Sequence, residues 1–337
     1  MNRIRIILAQ NGTLFALVVL VAAFAAMSPR FFTLNNASTV LLQTAELAII
    51  AIPMAFLVMS GTLDLSVGSV ASLGSVAAAM TIIETESILL GFVVALAVGA
   101  ITGAINGFLV AFVKLNPLVV TLGFLSVWGG LALLLTNGAT LTGLGKGFQA
   151  LGLWRLGPAN IQVLAMLAVL VLGWFILNRR PFGRNVLAIG GNAHAARLMG
   201  VKVRQTKFLL FVITGMAASL VGVLLTAKLQ AATPTVGVGM EIQALTVVLL
   251  GGVAMEGGAG RIGGVIAGLL FVGVLRNGLV ILGVSGFLQT VLIGATLVVA
   301  VLLDSSMQRV LRSSWNSMVK PEPAPDATGL PAESASR

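Results

Sequence analysis

Apolar runs separated by short polar connections recur along this chain from residue 12 to residue 303. Read as helices, they fall near 12–28, 38–59, 65–83, 88–113, 118–136, 161–177, 208–226, 241–255, 262–282 and 287–303. A run of about 18–20 apolar residues crosses a bilayer as a helix, so the pattern predicts about ten spans, some short or broken. Longer polar connections lie at 137–160, 178–207 and 227–240. Past Asp304 the chain turns polar and closes on KPEPAPDATGLPAESASR, rich in Pro, Ala and Ser and without a period. Such a stretch has too little apolar surface to order itself. The expectation is an all-α, polytopic membrane domain over 1–304 and a disordered cytoplasmic tail over 305–337.

Composition supports the membrane reading. Apolar residues make up 58% of the 337 and charged residues only 9%, where a soluble domain has about 45–50% and 25%. The N-terminal run is longer than a signal peptide's apolar core and further runs follow, so it reads as the first span. With ten spans both termini share one side. If that side is cytoplasmic, the inner connections hold Lys114, Arg179, Arg180, Arg184, Arg197, Lys202, Arg204, Lys207 and Arg261, besides Arg3 and Arg5. The outer side holds Arg30, Lys146, Arg155 and Lys228, with Arg276 near the outer end of its helix. A bias of roughly three to one orients both termini to the cytoplasm. The net charge of +10 therefore sits where it orients helices, which argues against nucleic-acid binding. The absence of cysteine excludes disulfides and thiolate metal sites, and one histidine makes no metal cluster.

Catalytic signatures are missing: the chain has no nucleophile elbow, no H-E-x-x-H and no phosphate-binding P-loop. TGLGKGF lacks the glycine spacing and the Ser/Thr of that loop. No connection is long enough to hold a nucleotide-hydrolysing domain.

The polar residues inside the apolar framework are few. In SGTLDLSVGSV, residues 60–70, Asp64 stands just before a new apolar run, flanked by Gly61 and Gly68. Its carboxylate is placed to accept the N–H of Ser66 or Val67 as an N-cap against the helix dipole. Cargo contact and protonation in a coupled carrier are the other readings. Gln43 and Glu46 share one helix face. A charge deep in a bilayer costs about 2.5–3.5 kcal/mol, so Glu46 should face the protein or a cavity. Thr102 and Asn106, also on one face, predict interhelical hydrogen bonds or, alternatively, substrate contact, beside a Gly99, Gly103, Gly107 packing ridge.

Residues 233–264 crowd Gly251, Gly252, Gly257 and Gly258 at the end of a run too short to span. That makes either a glycine packing corner or, with Gln243, a segment lining a polar pathway. The segment 178–207 carries seven Lys/Arg and no acid. In it Asn192 is placed to cap a short helix, His194, Ala195, Ala196 and Arg197 fall within that helix, and Gly200 is placed to end it. So short a helix needs a packing partner. It is either a solvated basic loop or an element that docks a cytoplasmic protein.

At these residues the chain resembles a known family. SGTLDLSVGSV is similar to the G-G-I-D-L-S-V-G-S signature of permease subunits of bacterial sugar ABC importers of the ribose type. FGRNVLAIGGNAHAARLMGVKV and VVLLGGVAMEGGAGRIGGVIAGLLFVGVLRNGLVILGVSGFLQ resemble that family's cytoplasmic and glycine-rich segments, and NPLVVTLGFL also fits. The resemblance runs from about residue 35 to 304. It departs at Thr62, where a second glycine is usual, and at Ala193 and His194, where acids are common. It implies an inner-membrane permease that pairs with a second copy or a paralogue. Cytoplasmic ABC ATPases would dock beneath, at a coupling segment from Gly191 to Gly200, and a periplasmic sugar-binding protein above. The cargo would be a pentose, hexose, deoxysugar or autoinducer-2-like solute. A stand-alone proton-coupled carrier using Asp64 or Glu46 is the competing reading, and a membrane scaffold without cargo is a third.

Overall fold

The computed structural model describes residues 3–156 and 159–318. Thirteen helices appear in it: α1 (Arg3–Met27), α2 (Leu34–Met59), α3 (Val67–Thr85), α4 (Ile88–Ala111), α5 (Pro117–Thr136), α6 (Gly145–Leu153), α7 (Ile161–Arg179), α8 (Pro181–Gly191), α9 (Ala193–Leu198), α10 (Val203–Leu229), α11 (Met240–Leu250), α12 (Ile262–Ile281) and α13 (Gly286–Met318). The strands among the described residues are β1 (Arg155–Leu156) and β2 (Ala159–Asn160), a two-residue antiparallel pair. Seven helices, α2–α5, α7, α10 and α12, are long and apolar enough to cross a membrane. Shorter apolar stretches occupy Gly12–Met27, Met240–Leu250 and Gly286–Leu302.

Helix α2 is the centre of the bundle. From Thr44 to Met59 every residue is buried, so it has no lipid-facing side. Peripheral helices behave differently. In α4 the buried positions are Gly91, Ala95, Gly99, Thr102, Gly103, Asn106, Gly107, Val110 and Ala111, which recur every three to four residues as one helix face, while Leu89, Val93, Ile101 and Phe108 are exposed. In a bilayer that outer face meets acyl chains, and the small-residue face lets backbones touch. Across it lies α10: a Cβ on Gly99, Gly103 or Gly107 would run into Gly215, Phe211 and Phe208. Polar links tie the same layer together, Ser219 donating to the Ala95 carbonyl at 2.6 Å and Ser75 meeting Thr226 at 2.5 Å.

The helix ends depart from the sequence expectation in three places. The run expected at 241–255 stops at Leu250, because Gly251 packs backbone to backbone on Val265 and Gly252 takes φ +73. The basic segment holds a second helix, α8, begun by Pro181 at its first position, where proline's fixed φ suits a helix start. Helix α13 runs on to Met318, so 305–318 is helical and not the expected disordered tail. Met307, Val310, Leu311 and Trp315 keep helical spacing there, and no proline intervenes. The remaining tail, 319–337, lies outside the described residues.

Candidate functional site

Asp64 sits in the turn between α2 and α3. Helix α2 ends at Ser60, whose hydroxyl donates to the Leu57 carbonyl at 2.7 Å and meets Thr62 Oγ1 at 3.0 Å. Gly61 then takes φ +71, a left-handed conformation that a glycine adopts without strain. Helix α3 begins at Val67, two residues later than expected, and its cap position, Ser66, makes no side-chain capping bond. Asp64 instead binds Ser66 twice: its Oδ1 accepts the backbone N–H at 2.8 Å and the hydroxyl at 2.6 Å. Asn106 of α4 closes the group, donating through Nδ2 to Ser66 Oγ at 2.8 Å and more loosely to Asp64 Oδ2 at 3.4 Å.

Asp64, Ser66 and Asn106 are at most 1% exposed, so the carboxylate is sealed inside the bundle. It holds the turn. Asn106 thus makes the cross-element bond that its position predicts. Thr102 does not: it donates to the Gly99 carbonyl of its own helix at 3.1 Å. Gly68 does pack backbone closely, against Gly237 and the Glu241 carboxylate, both of which a Cβ would strike.

Three segments distant in sequence meet just past this turn. A Cβ on Gly257 would lie 2.7 Å from Gly61 N and 3.0 Å from Gly190 Cα. One on Gly258 would lie 2.8 Å from Gly191 Cα, and one on Gly190 would strike the Met59 carbonyl and Gly258 N. The Gly258 N–H donates to that same Met59 carbonyl at 2.8 Å. The end of α2, the end of α8 and the loop between α11 and α12 therefore touch through backbone alone. Such a joint transmits displacement, because no side chain stands between the segments to rearrange.

On the far side of Gly191 lies α9. Asn192 Oδ1 accepts the N–H groups of His194 at 3.0 Å and Ala195 at 2.9 Å, and Gly200 takes φ +82. This cap satisfies two of the otherwise free donors of a very short helix. Ala196 packs inward with Ile189 of α8 and Val203 of α10. Ala195, His194 and Arg197 face outward, with Leu198 and Met199 at 76% and 85% exposure beside them. Next to this tip is an open groove of about 530 Å³ lined by Phe182, Asn185, Met199, Lys202 and Leu209 among others.

A second polar group lies within the helices. Glu46, midway along α2 and buried, accepts Lys228 Nζ at 2.8 Å. Helix α12 packs on α2 at this level, Gly273 against Thr44, and Arg276, one turn on from Gly273, approaches Gln243 Oε1 at 3.5 Å. Gln43 lies one turn from Glu46, with Oε1 buried and without a partner. The structure thus pairs Glu46 with Lys228 and Gln243 with Arg276, with Gln43 one turn from Glu46 on α2, and leaves Asp64, Ser66, Thr102 and Asn106 in a separate group. Sequence reading missed Lys228 as the partner of Glu46, since 182 residues separate them. It also missed Gln162 of α7, both of whose amide atoms are buried without partners, and Asn277, whose Oδ1 is likewise unpaired. A polar residue inside an apolar run was the available signal.

Comparison with known proteins agrees with this architecture. The family model described as the branched-chain amino acid transport system / permease component matches residues 36–301. The Escherichia coli K12 ribose import permease protein is 37% identical over 308 residues, covering 89% of this chain and 95% of its own length. The L-arabinose transport system permease protein of the same strain is 36% identical, covering 90% and 93%. Its D-allose transport system permease protein is 34% identical, covering 87% and 90%. No solved structure matches. With coverage this complete, and with helices built to cross a membrane, the chain belongs to this family of ABC-importer permeases, its members named for ribose, arabinose and allose among its similar relatives.

Proposed function

We propose that this chain forms the translocation pathway of an ATP-driven importer in the bacterial inner membrane, passing a monosaccharide or similar small polyol inward. In this reading both termini are cytoplasmic, two permease chains pair across the pathway, and a periplasmic binding protein delivers the cargo. Separate ATPase subunits bind Mg-ATP and dock on α8 and α9. The observation that carries the reading is the backbone joint at Gly61, Gly190, Gly257 and Gly258. It connects the exposed, partly apolar α9 tip to the turn held by Asp64 and to the end of α11, so force applied at the tip reaches the membrane interior without passing through flexible side chains. The ribose, arabinose and allose named in the relatives set the cargo class. Neutral amide side chains such as Gln43 and Gln243 suit a polyol that is passed on, not held.

A stand-alone proton-coupled carrier draws less support. Asp64 is sealed and Glu46 is engaged by Lys228, so neither presents the open carboxylate that such a carrier uses. Reconstitution of the chain with its cognate ATPase and binding protein in vesicles tests the proposal. Uptake should require ATP hydrolysis and both partners; uptake by the chain alone under a pH gradient refutes it.

A further inference from the structure

The charged group around Glu46 lies among long apolar helices. Glu46 is the thirteenth residue of the 26 in α2, about 18 Å from the helix start at 1.5 Å per residue. Lys228 therefore delivers its ammonium to the middle of that helix. Its side chain remains 40% exposed. Arg276 is exposed too, although it lies within α12, five residues before its end. A guanidinium or ammonium in this position does not face acyl chains without cost; it faces water or another polar surface.

The surrounding backbone points the same way. Between α10 and α11 the chain is non-helical, yet it folds back along α3, where Gly237 N–H donates to Ser72 Oγ at 3.0 Å. Irregular backbone at membrane depth survives where protein covers it or where it borders a water-filled space. Gln43, one turn from Glu46 on α2, has a buried Oε1 without a partner.

The charges do not cancel. Glu46 pairs with Lys228 at 2.8 Å, and Arg276, the second cation of the group, has as its hydrogen-bond partner among the described residues the neutral Gln243 amide oxygen at 3.5 Å. Glu241 offers no compensation: two residues before Gln243 on the helix, it points elsewhere, with its carboxylate packed against Gly68. Resting on the permease reading above, we propose that Glu46, Lys228, Gln243 and Arg276 line a water-filled, net-positive vestibule within the pathway. Arg276 is its specificity-determining residue, favouring neutral polyols and anionic solutes through their oxygen atoms and disfavouring cations such as protonated amino sugars.

The chain has no cysteine, so one introduced thiol reports this directly. A Gln243→Cys variant of the full chain in membrane vesicles is treated with an anionic and a cationic methanethiosulfonate, each rate divided by that reagent's rate on a free thiol in solution. The normalised anion-to-cation ratio should be about tenfold, a magnitude that one uncompensated charge at this range produces. Adding Arg276→Gln should bring the ratio near one, while Arg276→Lys should keep it high, which separates charge from disrupted folding. Absence of labelling by both reagents overturns the vestibule. A ratio near one in the parent variant, or one unmoved by Arg276→Gln, overturns the role of Arg276. The readout needs no ATP or binding protein, so it stands or falls separately from ATP-dependent uptake.

Discussion

Gly190 and Gly191 are adjacent at the end of α8, and the structure predicts opposite outcomes for them. A Cβ on Gly190 would strike the Met59 carbonyl and the Gly258 N–H, the two ends of a 2.8 Å hydrogen bond. A Cβ on Gly191 would meet nothing within 4 Å. In Gly190→Ala the bond is broken and the carbonyl of buried Met59 loses its partner, at about 1–3 kcal/mol. Forcing apart two packed backbones adds about 1–3 kcal/mol. The total, about 2–6 kcal/mol, is a large share of a typical stability of about 5–15 kcal/mol. Gly191→Ala gains up to about 1 kcal/mol, as alanine does over glycine in a helix. Thermal melting of the purified chain in detergent reads the difference: Gly190→Ala should melt well below the parent, and Gly191→Ala no lower than it. In reconstituted importer, Gly190→Ala should also consume more ATP per solute moved, because the joint between α8 and the α2 turn is sprung. Equal melting of the two variants would refute the joint, whatever their transport.

Three further outcomes follow from the buried polar turn and the α9 tip. Asn106→Ala removes the donor that binds Ser66 beside a buried carboxylate, which should lower stability by about 1.5–3 kcal/mol in denaturation measurements. Ala195→Glu places charge on the outward face of α9 and should weaken ATPase binding, measured by co-purification, without lowering the melting temperature. Ala196→Glu forces a carboxylate between Ile189 and Val203 and should cost more than about 2 kcal/mol of stability. Reversal of that order would show that α9 is seated the other way round.

The length of the apolar runs marked out the seven helices long enough to span, because lipid demands long apolar runs, but not their ends: α2 starts four residues and α10 five residues earlier than the runs suggest. Asn192 as a cap and Gly200 as a stop were also legible, since capping is chemistry between residues a few positions apart. The short α8 and the helical 305–318 were less so, because neither carries an apolar run long enough to signal a span. What no local pattern contained was partnership across the chain. That Glu46 meets Lys228, that Asn106 reaches Ser66, and that Gly61, Gly190, Gly257 and Gly258 interlock all depend on helices packed at particular angles. Thr102, identical in sequence promise to Asn106, donates instead to a carbonyl of its own helix. Residue type and spacing determined which segments enter the membrane; only the packing of those segments decided which of their few polar groups are sealed, paired or left facing water.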